Sequence, residues 1–205
     1  IDTDASLTKV IPTQGMPSSP HLDFASEIKI KTKFPTFHAS KINDVATARH
    51  AVREGKLDMV GMTRAHIADP HIVKKIINGM EDNIRPCVGA TYCLDRIYEG
   101  NEALCIHNPA TGRERFIPHE ISIQANHKKN IIIVGAGPSG LEAAKISSER
   151  GHRVVVFEAS NMPGGQLNLI TRSKRRRDMI GIIDWRINAC KTNNVKFYFD
   201  TFCEV

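Results

Sequence analysis

The stretch IIIVGAGPSGLEAA, from Ile131 to Ala144, limits the fold more than any other part of the chain. An apolar run of strand character ends on Gly135. Gly135, Gly137 and Gly140 then fall in the pattern G-x-G-x-x-G, and an alanine-rich helical segment follows. The pattern alone is weak, but between a strand and a helix it predicts a dinucleotide-binding turn. Gly135 permits the tight turn, Gly137 leaves room for a pyrophosphate, and Gly140 lets helix and strand pack closely. The first turn of the helix offers free N–H groups and the positive end of its dipole to phosphates. A second apolar run, RVVVFE, ends on Glu158, 21 residues after Gly137. A carboxylate there accepts hydrogen bonds from a ribose with a free 2′-hydroxyl. The bland alternative is a glycine-rich turn without a ligand.

Upstream, the texture repeats at a spacing of about two dozen residues. FPTFHA (34–39) reads as a short buried strand and DVATARHAVREG (44–55) as a helix, with Asp44 as N-cap and Gly55 past its end. LDMVGM (57–62) reads as a second strand. DPHIVKKIING (69–79) reads as a second helix, with Asp69 as cap, Pro70 in the first turn and Gly79 as stop. SPHLDFASEIKIKT reads as an earlier helix. Alternating strands and helices predict right-handed βα units on a parallel sheet. VGMTR (60–64) places Gly61 and Arg64 at a strand end, where backbone N–H groups and a guanidinium suit a phosphate. Ser40 and Lys41 hold the equivalent place one unit earlier; the bland alternative is an arginine on a surface loop. Neither region has the strands of a complete barrel or a complete dinucleotide-binding domain, so the chain reads as a fragment cut inside two domains.

Three of the five cysteines, Cys87, Cys93 and Cys105, share the aperiodic segment between these regions. An odd cysteine number and a polar opening (IDTDASLTKV) unlike a targeting segment argue against a disulfide framework. The expectation is a reducing cytosol and a metal or redox site. No apolar run is long enough for a membrane span. The net charge of +6 is concentrated at Lys174, Arg175, Arg176 and Arg177. Without interleaved aromatics that run reads as a solvated face rather than a nucleic-acid patch. Cys190 and Cys203 read as ordinary buried thiols on a helix and a strand. The loop histidines His38 and His66 read as structural.

MPGGQL (162–167) resembles the FAD-binding domains of disulfide-reductase-like flavoproteins. INDVATARHAVREGKLDMVGMTRAHIADP, then RPCVGATYC, then NPATGRE, then IIIVGAGPSGLEAA together resemble the long flavoproteins of the old yellow enzyme superfamily. That group includes trimethylamine dehydrogenase, 2,4-dienoyl-CoA reductase and N-methylproline demethylase-like enzymes. The resemblance implies an α/β chain in three parts. Residues 1–80 would be the last βα units of an FMN-binding TIM barrel and 81–129 an iron–sulfur linker. Residues 130–205 would be the first part of a Rossmann-like FAD/NAD(P)-binding domain, both domains being incomplete. It implies FMN contacts at Ser40, Lys41, Gly61, Met62, Thr63 and Arg64. FAD or ADP contacts would lie at Gly135, Gly137, Gly140, Glu158 and Gln166. A [4Fe–4S] cluster would lie on Cys87, Cys93 and Cys105. Ser40 stands where glycine is usual, and Ala90 where the second cluster cysteine belongs. A non-cysteine ligand such as His107 or water, a three-iron cluster, a zinc site and a metal-free loop therefore all stay open. The implied activity is oxidation of an N-methylated small-molecule substrate, with a possible electron-transfer acceptor. The alternatives are a dienoyl-CoA or enoate reductase using NAD(P)H, or a non-catalytic electron-transfer module. No catalytic acid or base is named, no nucleic-acid or membrane partner is expected, and the full-length protein could be a homo-oligomer.

Overall fold

End signals and hydrophobic spacing account for most helices of the computed structural model, which describes residues 11–123 and 126–203. The opening segment 1–10 lies outside the described residues. The chain divides between Gly112 and Arg113 into two compact units. In the first, α1 (Leu22–Thr32) ends where Lys33 takes a left-handed φ of 58° and its N–H returns to the Lys29 carbonyl. The strand β1 (Phe37–His38) leads to α2 (Val45–Arg53), which Asp44 caps by accepting the Thr47 N–H at 2.7 Å. The strand β2 (Met59–Val60) pairs parallel with β1, with Phe37 opposite Met59 and His38 opposite Val60. Leu22, Ala25, Ile42, Ala51 and Leu57 form the core between these elements.

Three expectations change here. The segment 34–39 contributes two strand residues, and Phe34 and Phe37 are exposed rather than buried. A short helix, α3 (Thr63–Ala68), follows β2 directly. The helix expected at 69–79 is α4 (Ile72–Ile77), because Asp69 accepts the His71 N–H at 3.0 Å and breaks the chain at Pro70. Beyond it, α5 (Tyr92–Tyr98) begins with Cys93 in its first turn.

The second unit is a parallel three-stranded sheet in the order β3 (Asn130–Val134), β4 (Arg153–Phe157), β5 (Lys196–Tyr198). The helix α6 (Pro138–Glu149) crosses from β3 to β4. A short α7 (Leu167–Ile170), a 3-10 stretch (Lys174–Ile180) and α8 (Gly181–Thr192) lead from β4 to β5. Each crossover covers the sheet with helix, and the inward positions Val154, Val156, Leu141, Ala144, Ile182 and Ile183 are buried. Ile132 and Val134, on the opposite side of β3, are 65% and 67% exposed. The basic run is exposed along its 3-10 stretch. Cys190 is fully buried in α8, whereas Cys203 is exposed and follows β5 rather than belonging to a strand. Beyond β5, which ends at Tyr198, Phe202 is 78% exposed. Among the described residues no helix is long and apolar enough to cross a membrane.

Leu57 is 1% exposed at the centre of the first core. Leu57→Ala is expected to destabilise that unit by about 2–5 kcal/mol, read as a lower urea midpoint. Met59→Ala, at the exposed neighbouring position, is expected to change it by about 0.5 kcal/mol or less.

Candidate functional site

Two adjoining sites lie in the first unit and a third in the second. The first is a cleft of about 250 Å³ at the C-terminal ends of β1 and β2. Ser40, Lys41, Asn43, Gly61, Thr63 and Arg64 line it, and its charged lining residues among the described ones are Lys41 and Arg64. Met62 is not part of the lining; it packs against the Ile42–Leu57 core. The turn after β1 places Ser40 at φ 92° and Lys41 at φ 55°, a conformation that ordinarily favours glycine. It brings the Ser40 Oγ into a buried position with no hydrogen-bond partner among the described residues. Lys41 is buried, and its Nζ donates to the carbonyls of Gln14 at 3.3 Å and of Met16. Arg64 donates from Nη1 to the Pro12 carbonyl at 2.9 Å. A guanidinium has five N–H donors, so others remain for a ligand. Two cations, an orphaned hydroxyl and a strand-end backbone fit a phosphate monoester.

Behind Arg64 the three cysteines come together. Cys87, Cys93 and Cys105 line one narrow cavity with Ala90, Tyr92, His107 and Arg64. Its free volume is about 20 Å³, so a bound group would replace contacts among these side chains rather than fill a preformed void. Burial pushes the Cys87 thiol up most; the Gly89 N–H and the Arg64 guanidinium oppose that, and the other two thiols add to it. Burial also raises Cys93, with Cys105 adding and Arg64 opposing. The three sulfurs are therefore within electrostatic reach of one another. Among the described residues, however, no three His, Cys, Asp or Glu side chains converge tightly enough for a single metal ion. Three thiols on one cavity are the donor type that an iron–sulfur cluster takes.

A buried network holds the cysteine segments against α3. The Asp69 carboxylate accepts from the backbone N–H of His71 and of Arg85, at 3.0 and 2.8 Å, and from Lys75 Nζ. Asn108 Nδ2 donates to the Ala68 carbonyl at 3.0 Å, and Thr111 Oγ1 to the Ile67 carbonyl at 2.8 Å. Sequence reasoning took Asp69 as a helix cap and did not single out Asn108 or Thr111. Asn-Pro within NPATG was the available signal, since such a pair marks a turn. The two loop histidines differ: His66 is exposed in α3, where its Nδ1 donates to the Met62 carbonyl at 3.0 Å, and His38 is half-buried.

In the second unit the glycine turn joins β3 to α6. Gly135 has φ 95°, and its N–H donates to the Phe157 carbonyl at 2.7 Å. A Cβ on Gly140 would lie 2.0 Å from the Gly135 carbonyl oxygen, whereas one on Gly137 would meet nothing within 4 Å. Gly140 thus serves helix–strand contact, and the open space at Gly137 faces whatever binds there. The MPGGQL segment folds onto the turn: the Gly164 N–H donates to the Ala136 carbonyl at 2.8 Å. Gln166 is exposed at the start of α7. Glu158 accepts the Ala136 N–H on Oε2 at 2.6 Å and the Ser160 N–H on Oε1 at 2.9 Å. Burial opposes its ionisation, but these backbone N–H groups outweigh burial and hold the carboxyl below its usual range.

Residues 133–201 match the family described as NAD(P)-binding Rossmann-like domain. The chain is 62% identical over 204 residues, all of its length, to a probable N-methylproline demethylase from Rhizobium meliloti, of which it covers 30%. It is 49% identical, again over its whole length and 30% of the relative, to a multifunctional alkene reductase/demethylase from Caballeronia cordobensis. Among solved structures, 6-hydroxypseudooxynicotine amine oxidase from Pseudomonas geniculata superposes with a TM-score of 0.88. The identity is 28%, covering 94% of this chain and 29% of that one. The chain thus spans about 30% of the length of the curated relatives it matches.

Two expectations concern the glycine turn. Gly140→Ala is expected to prevent stable folding of the second unit, whereas Gly137→Ala should melt like the unsubstituted chain yet lose retention on an immobilised adenine dinucleotide. Equal melting of the two variants would contradict these assignments. A carboxyl held below its ordinary value of 4.5 stabilises the fold fully above that value, and the benefit is lost as pH falls through the lower folded pKa. Glu158→Gln is therefore expected to remove part of the acid-limb loss of stability, measured by thermal melts from pH 6 downward.

Proposed function

We propose that this chain, a homologue of one segment of the long flavoproteins of the old yellow enzyme superfamily, is the part of such an oxidoreductase that joins its flavin barrel to its nucleotide-binding domain. The observation that carries the reading is Arg64, which lines both the phosphate-like cleft and the cysteine cavity. One guanidinium between two such sites suits an enzyme that passes electrons from a flavin to an adjacent cluster.

In this reading Lys41, Arg64 and the backbone around Gly61 and Thr63 hold the phosphate end of FMN, with the Ser40 hydroxyl as a further donor. Cys87, Cys93 and Cys105 hold an iron–sulfur cluster. Gly135, Gly137, Gly140 and Glu158 receive the adenosine diphosphate part of FAD or ADP, with Gln166 at the margin. The substrate class is an N-methylated amine or amino acid, as the names of the relatives suggest. When bound, the flavin would supply hydride acceptance, by which an N-methyl group would be lost as formaldehyde after hydrolysis by water, leaving the demethylated amine. The residues of this chain orient the cofactors: Arg64 fixes the phosphate end, and its positive charge lies beside the cysteine cavity. This reading also gives NAD(P)H a place on the full-length protein, which we place in the cytoplasm.

The test is an assay of the full-length protein with N-methylproline and a dye acceptor. Formaldehyde released in step with dye reduction is expected. Activity only with NAD(P)H and a conjugated enoate would transfer the assignment to the reductase alternative. Arg64→Met is expected to weaken flavin retention about 10-fold to 100-fold, the worth of a charge-assisted hydrogen bond, as read by flavin fluorescence after desalting.

A further inference from the structure

The thiols alone do not complete the cysteine cavity's ligand set. A [4Fe–4S] cluster takes about four protein ligands, and the second position of the motif is Ala90, whose methyl group offers none. Ala90 nevertheless lines the same cavity as the three cysteines. No Asp or Glu is among its described lining residues. Thr91 spends its hydroxyl on the adjacent Ala90 carbonyl at 2.7 Å. Tyr92 also lines the cavity, but is 40% exposed and lies under the Arg96 guanidinium, whereas the imidazole of His107 is a fully buried donor suited to iron.

His107 is built as a ligand is built. It is 0% exposed. Its Nδ1 lies 2.9 Å from the Pro86 carbonyl oxygen. A carbonyl only accepts, so Nδ1 carries the proton and, in the neutral ring, the lone pair belongs to Nε2. Metal-binding histidines are commonly oriented in this way, with the second nitrogen donating to a backbone carbonyl. The anchor is next to the site on both sides: Pro86 precedes Cys87, and the His107 backbone N–H donates to Cys105 Sγ at 3.4 Å. Asn108, fixed to the Ala68 carbonyl, holds the following residue.

We propose that His107 Nε2 is the fourth ligand of an iron–sulfur cluster on Cys87, Cys93 and Cys105, binding the iron at the corner that Ala90 leaves without a thiolate. The proposal rests on the oxidoreductase reading above, insofar as the cavity holds iron and sulfide. A neutral imidazole in place of a thiolate leaves the cluster with one negative charge fewer, and it is therefore reduced more easily than an all-cysteine cluster.

The experiment uses chain grown on 15N-histidine and reconstituted anaerobically with ferrous iron and sulfide, beside the Ala90→Cys and His107→Ala variants. The readouts are iron and sulfide content, pulsed EPR of the reduced cluster and its midpoint potential. Expected for the unsubstituted chain are about four irons and four sulfides, with a 15N coupling of the size given by a directly bound nitrogen. Ala90→Cys should keep the iron content, lose the coupling and shift to a lower potential. His107→Ala should lose iron or hold it loosely; because it also removes a fully buried ring, the Ala90→Cys result decides. A cluster without 15N coupling in the unsubstituted chain, or unchanged coupling in Ala90→Cys, overturns the proposal and leaves the iron–sulfur reading standing. A cluster forming only in Ala90→Cys overturns the proposal alone. No iron–sulfide chromophore in any of the three, or zinc without sulfide, overturns both.

Discussion

The Asp69 carboxylate holds the first unit together at the point where the cysteine segments leave α3. It is nearly fully buried and accepts from two backbone N–H groups and the Lys75 ammonium. A buried carboxylate is tolerable only with its acceptor capacity used, and here its bonds tie α4 to the segment before the cysteines. One holds His71 at the start of α4, one holds Lys75 within it, and one fixes Arg85 two residues before Cys87. Asn108 and Thr111 make the matching attachment from the far side of the cysteines, to the carbonyls of Ala68 and Ile67. The cavity of three thiols exists because these bonds draw residues 85–111 back onto one short helix.

Arg64 occupies the next position outward. It reaches the Pro12 carbonyl, lines the cleft after β1 and β2, and its charge opposes the rise in the thiol pKa values of Cys87 and Cys93. A cation between the cleft and the three thiols favours the anionic form of any group on either side. The turn that shapes the cleft is strained, since Ser40 and Lys41 both have positive φ. The buried ammonium of Lys41, bonded to the carbonyls of Gln14 and Met16, braces that turn. Serine in this glycine-like conformation places a hydroxyl at the cleft.

The second unit depends on close approach rather than on buried charge. The Gly140 position admits no Cβ against the Gly135 carbonyl, and this sets the distance between α6 and β3. The Glu158 carboxylate then accepts the Ala136 N–H across the β3–β4 pair and keeps the turn in register with the strand end. Parallel sheets are ordinarily covered on both faces, so the exposed Ile132 and Val134 mark a face that further chain or another molecule would cover.

Much of this was legible in the residues. The glycine turn, the capped α2, the parallel βα order and the grouping of three cysteines follow from spacing and residue type, because local sterics and hydrogen-bond caps act over a few neighbours. Sequence reasoning also marked Ser40, Lys41, Gly61 and Arg64 as one group. It misjudged Phe37, Cys203 and the start of α4, since burial depends on what packs above a residue and Pro70 breaks the helical pattern only through the bonds of Asp69. The sequence by itself determined which chemical groups the chain has and the local conformations they favour. Only the tertiary structure decided that Arg64 lies between two sites, that Met62 belongs to the core, and that His107 shares a cavity with cysteines up to 20 residues away. Those are contacts between distant stretches of chain, and no local preference encodes the distance between them.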